Sequence, residues 1–175
     1  MTRNNPLATE LIKDMPVAAA AGYVGTKLME PISQKLYEWE PEEDRKREDA
    51  VRPGAPFEIA AEKTAKLVGV DLDDKQKGRV GLLFHYGLAV SWAPVYALLR
   101  RRTSLSPVAA GLAAGAAMSL VADEGMTPAL GFSAPNRAYP PSTHLRGFVA
   151  HLAFGLAVAA VTEGGWRVTG RAPTA

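Results

Sequence analysis

RVGLLFHYGLAVSWAPVYALLR, residues 79–100, decides how the rest of this chain is read. Between its terminal arginines, residues 80–99 contain no Asp, Glu, Lys or Arg. About 20 apolar residues are what an α-helix needs to cross the hydrocarbon core of a bilayer. Trp92 and Tyr96 lie toward the far end, where their amphipathic rings suit a membrane–water interface, and Pro94 predicts a kink. Two further charge-free runs, 105–122 and 147–162, approach the same length. The mean hydropathy of −0.03 is ordinary for a soluble protein, but that average hides a segregation. Charged residues crowd into 35–79.

With 175 residues, the chain is long enough for a single domain, 1–175, with a sizeable core. A net charge of +2 is too small to argue for nucleic acid. Cys is absent, which excludes disulfides, thiolate catalysis and Cys-based zinc sites. The opening MTRNNPLATELIKDMP has no compact apolar core or A-x-A site, so it does not read as a cleaved signal peptide. There is no Walker A, dinucleotide fingerprint, H-E-x-x-H or G-x-S-x-G motif, so nothing points to an enzyme.

Working outward, a first span is expected over 15–30, MPVAAAAGYVGTKLME, with Asp14 as N-cap and Pro16 in the first turn. Its small residues, among them Gly22 and Gly25, would admit a second helix closely. Lys27 and Glu30 make it the weakest span. Pro31 is expected to bend or end it, leaving a polar first loop over 31–78. That loop holds a mixed charge run, EPEEDRKRED, read as a solvated face. It also holds a short amphipathic helix in FEIAAEKTAKLVG, with Phe57, Ala60, Thr64 and Leu67 on one face. After the 80–99 span, Arg100, Arg101 and Arg102 form a basic turn that sets topology or holds anionic lipid head groups. A third span, 105–124, opens at Ser106-Pro107, and its Gly111 and Gly115 form a GxxxG for helix packing. Residues 125–143 read as loop, with Gly125, Pro128, Gly131, Pro135, Pro140 and Pro141. Ser142 or Thr143 would cap a fourth span, 145–163, ended by Gly164-Gly165 and anchored by Trp166. The expected fold is all-α: a four-helix transmembrane bundle with a short amphipathic helix in its long first loop. Four crossings put both termini on one side, and the basic turn makes that side cytoplasmic.

Antiparallel threading also brings polar groups to one face. The first helix ends at Glu30, the second carries His85 near its start, the third finishes at Asp123 and Glu124, and the fourth opens with His144 and His151. Ionisable groups at membrane depth are costly and face the bundle interior or a water cavity. Three readings compete for this layer. It can be a structural lock of paired polar groups. It can be a metal site for Zn or Fe, with His85, His151, Glu124 and Glu30 as candidate ligands, although no helix carries Glu-x-x-His spacing. It can carry or sense protons.

The layout resembles the YagU-like inner-membrane proteins of bacteria, a family of small four-span proteins of unknown function. The features that carry the resemblance are AAGYVGTKLME, the polar first loop, FHYGLAVSWAPVYALL, DEGMTPALGF before a proline-rich loop, and THLRGFVAHLAFG. It covers about 15–165 and implies a bacterial integral membrane protein, with no catalytic residues to carry over. The expected role is then a structural or accessory subunit of a membrane complex. Its partners would be the lipid bilayer and other membrane helices, in a hetero-complex or homo-oligomer. The alternatives are proton-linked transport through the His/carboxylate layer, a metal-binding membrane protein, and a soluble apolar bundle.

Overall fold

The computed structural model describes residues 6–172, in which every regular element is helical and no strand occurs. In chain order these are α1 (Pro6–Trp39), α2 (Glu42–Val51), α3 (Pro56–Leu67), α4 (Asp74–Arg102) and α5 (Pro107–Met118). A π-helix (Ser119–Met126), the single turn α6 (Thr127–Ala129), a 3₁₀ turn (Asn136–Ala138) and α7 (Pro141–Thr169) complete it.

Local chemistry explains most boundaries. α4 starts in a reciprocal capping box, with the Gln76 amide donating to the Asp73 carboxylate and the Asp73 N–H donating to the Gln76 side chain, both at 2.9 Å. α5 starts with Ser106 accepting from the Ala109 N–H at 3.2 Å and Pro107 in its first turn. α7 ends at Gly170, whose φ of 66° is the left-handed cap conformation.

α7 packs on α1 and α5, α1 also packs on α4, and α3 lies along α4. The core is built from small side chains, including Ala18, Ala21, Ala89, Ala93, Ala110 and Ala114, filled by Tyr96, Phe154, Val158 and Trp166. Small residues let the backbones touch. A Cβ on Gly22 would stand 2.7 Å from the Ala89 carbonyl oxygen. One on Gly115 would overlap the His151 carbonyl, and one on Gly155 would overlap that of Gly111. Gly25 is covered by the Phe154 ring.

Several sequence expectations need correction. α1 runs through Pro16 and Pro31 as far as Trp39, because a proline removes a single backbone bond while packing on α7 and α4 holds the helix together. Asp14 is therefore interior to α1 and buried, and it is not an N-cap. The segment 31–78 is mostly helical, not loop. Gly125 lies within the π-helix and Pro128 within α6, so the loop begins only after Ala129. Gly164 and Gly165 sit inside α7, which starts at Pro141, so Ser142 and Thr143 lie within its first turn and neither is the N-cap.

Two helices, α4 and α7, are long and apolar enough to cross a membrane. Each has 29 residues, about 43 Å at 1.5 Å per residue. α1 carries Lys13, Asp14, Lys27 and Glu30, and α5 is only 12 residues long before it widens. The described residues are thus all-helical, and two of the helices have the length and hydropathy of a membrane span.

Candidate functional site

The site begins where α5 stops being an α-helix. From Ser119 its turns widen, and the Thr127 N–H donates five residues back to the Ala122 carbonyl. The Thr127 hydroxyl donates to the same oxygen at 2.8 Å. Such wide turns are rare and recur at functional sites. This one carries Asp123 and Glu124 into the end of the bundle where α1 finishes and α4 and α7 begin.

Each histidine of the chain meets a carboxylate from another element there. His144 Nδ1 lies 2.7 Å from Glu124 Oε1, while its Nε2 lies 3.1 Å from the Asn136 carbonyl. The Asn136 carbonyl can only accept, so Nε2 carries the hydrogen of that contact. Asn136 closes the triangle, its side-chain N–H donating to the Glu124 carbonyl at 2.8 Å. The His151 Nδ1–H donates to the Gly147 carbonyl at 2.8 Å and faces Asp123 Oδ2 at 3.3 Å. His85 Nε2 stands 3.7 Å from Glu30 Oε1, beyond hydrogen-bond length, and its ring meets the Phe57 ring edge-on at 4.6 Å. Glu30 also accepts from the Tyr86 hydroxyl at 3.4 Å and from Lys27 at 3.3 Å.

Next to these pairs lies a network the sequence reading missed. Arg146 donates to Glu40 at 2.7 Å and to both oxygens of Glu48 at 2.7 and 2.8 Å, and its guanidinium lies 4.9 Å from the Tyr37 ring centroid. Glu48 is fully buried, pairs with Arg52 as well, and accepts from the Thr143 hydroxyl at 2.7 Å. Ser142 donates to Asp44 at 2.8 Å. The charge run that looked solvated thus supplies, in α2, the counter-charges of α7. The one hint in the sequence was Arg146 at the mouth of an otherwise charge-free run.

Around these groups are two adjoining cavities. One, of about 340 Å³, is lined by Asp123, Glu124, His144 and His151. The other, of about 380 Å³, is lined by Glu30 and His85. Arg52 and Arg146 border both. Among the described residues no group of three or more His, Asp or Glu could hold a metal ion. The candidate ligands fall into separate pairs: Glu30 goes with His85, His151 with Asp123, and Glu124 with His144.

The opposite end is tied by a second set of polar bonds. Asp14 accepts from the Trp166 indole at 2.8 Å and from Arg101 at 2.9 Å. Glu163 accepts from the Tyr96 hydroxyl at 2.7 Å and from Arg100 at 2.8 Å. Two of the three arginines read as topology signals therefore cross-link helices as well. No family model, curated protein or solved structure matches the chain.

Proposed function

We propose that the chain is a four-span integral membrane protein, of the YagU-like kind its sequence resembles, in a bacterial inner membrane with both termini cytoplasmic. α4 supports this reading: only 22% of its most apolar window is buried inside the protein, unlike the core helix of a soluble bundle. Leu82, Leu83 and Leu98 on α4, with Leu120 and Val121 beyond α5, are exposed as lipid-facing residues would be. α1 and α5 would complete the bundle, with Asp14 and Thr26 of α1 buried inside it and their small residues against α7 and α4.

Its function is proton-linked, carried out in the hollow end. One observation carries this: all three histidines, each set against a carboxylate of a different element, border two adjoining polar cavities. A structural lock explains the pairs but does not call for the hollow. Histidine beside carboxylate is the arrangement that exchanges protons near neutrality.

The test is proton movement in vesicles reconstituted with purified protein and loaded with a pH-sensitive dye. His85→Ala and His151→Ala should each reduce the response while the protein stays helical and membrane-inserted. A wild-type response in both variants would remove the proton-linked role. A proton-silent wild type recovered with a stoichiometric partner in mild detergent would favour an accessory subunit instead.

A further inference from the structure

A third cavity, of about 450 Å³, lies between α3, α4 and the π-helix. Its walls include Phe57, Ala60, Phe84, Leu88 and Met126. Thr127 contributes the one hydroxyl of the lining, and that group is already committed to the Ala122 carbonyl. The volume falls within the roughly 300–1,000 Å³ of small-molecule sites, which are mostly apolar with a few placed polar groups. Here the polar groups lie next door. Pro56, Phe57 and Thr127 line both this cavity and the one that holds Asp123 and Glu124.

The charge balance of the polar compartment selects the ligand. Arg52 and Arg146 are both engaged by Glu48, and Arg146 by Glu40 as well. Among the described residues, Asp123 and Glu124 are paired with His151 and His144, with no Lys or Arg at ion-pair distance. Asp123 is the more open of the two, with 42% of its side chain exposed. The compartment is therefore short of positive charge. On the apolar side, Leu83, Met126 and Leu130 line the cavity and are themselves exposed, so it opens through an apolar surface.

We propose that the two compartments together bind a lipophilic cation. The apolar body of an alkylammonium amphiphile lies between α3, α4 and the π-helix, and its ammonium group rests against Asp123. This rests on the reading of the hollow end as a working site, and it names the class of molecule handled there.

Calorimetric titration of the protein in phosphatidylcholine nanodiscs tests it, with octyltrimethylammonium as probe and octyl sulfate as the matched-chain anion. Saturable binding of the cation, above that of empty nanodiscs, is expected, with the anion bound far more weakly. Asp123→Asn, which keeps the shape, should weaken binding at least about tenfold. Gly87 lines the apolar cavity, and a Cβ added there meets no heavy atom within 4 Å. Gly87→Leu should therefore fill the cavity and abolish binding with helix content unchanged. Absence of saturable binding to the folded wild type, equal binding of octyl sulfate, or undiminished binding by Gly87→Leu would each overturn the proposal. Cation binding by a protein with no proton response would support it while removing the proton-linked reading. A proton response without cation binding would do the reverse.

Discussion

Asp14 offers the sharpest test of how this bundle is held together. Its carboxylate is 1% exposed and accepts from two donors, the Trp166 indole at 2.8 Å and the Arg101 guanidinium at 2.9 Å. Arg101 also lies over the Trp166 ring, 4.8 Å from its centroid. In Asp14→Ala both donors lose their acceptor. Removing one partner of a buried ion pair costs about 3–5 kcal/mol, because the other charge is left behind. Arg101 retains 12% side-chain exposure and a bond to the Arg171 carbonyl at 3.3 Å, which places it at the low end. The indole N–H, wholly buried, adds the desolvation of an unpaired donor, about 1–3 kcal/mol. The expected loss is about 4 kcal/mol. Asp14→Asn keeps an acceptor for the indole but no charge for Arg101, so about 2 kcal/mol is expected. Denaturant titration in detergent, followed by circular dichroism, gives both values. A change within about 0.5 kcal/mol for Asp14→Ala is what a surface site gives, and it would refute this account. Equal losses for Ala and Asn would show that the indole bond contributes nothing.

Three further outcomes follow from the same geometry. Gly115→Ala pushes a methyl into the His151 carbonyl and should destabilise by about 1–3 kcal/mol, whereas Gly164→Ala, where a Cβ has open space, should stabilise by up to about 1 kcal/mol, both read by the same denaturation. Arg146→Met strands the buried Glu40 carboxylate and leaves Glu48 with Arg52 and Thr143, and should cost about 3–5 kcal/mol, part of which Glu40→Gln should restore in the double variant. Trp92→Phe deletes the 3.1 Å bond from its indole to the Ala114 carbonyl, costing about 1 kcal/mol, with no change in the proton response of reconstituted vesicles.

The helical class was legible because the apolar runs at 80–99 and 147–162 leave few other solutions. The ends of the helices were not. Pro16 and Pro31 are breakers by local rule, yet α1 absorbs both, since tertiary contacts on its far side outweigh one missing N–H. Gly164-Gly165 looked like a stop, but α7 continues because Trp166, one residue on, is buried between Asp14 and Tyr96. Widening at Ser119 has no local signature at all. For the site, span ends could be assigned to one face of an antiparallel bundle from chain order alone. Which histidine meets which carboxylate depends on helix rotation, which no periodicity of Ala and Gly can fix. Glu48 and Arg146, 98 residues apart, were unreadable as partners because each alone looks like ordinary surface charge.

The two ends of the bundle are built unequally, and that has a mechanical consequence. At the end holding Asp14, Arg101, Trp166, Tyr96 and Glu163, three helices, α1, α4 and α7, are pinned by short polar bonds among buried rings. The other end is hollow, and there Arg146 of α7 reaches across to Glu40 and Glu48. Such a body is built like a clothes-peg, hinged at one end and held by a polar clasp at the other. A tilt of about 5° about the pinned end would carry the far tip of a helix rising 1.5 Å per residue by roughly 4 Å, more than the length of any hydrogen bond there. Substitutions at Asp14 or Glu163 would then be felt first as a change in how readily the distant jaws part.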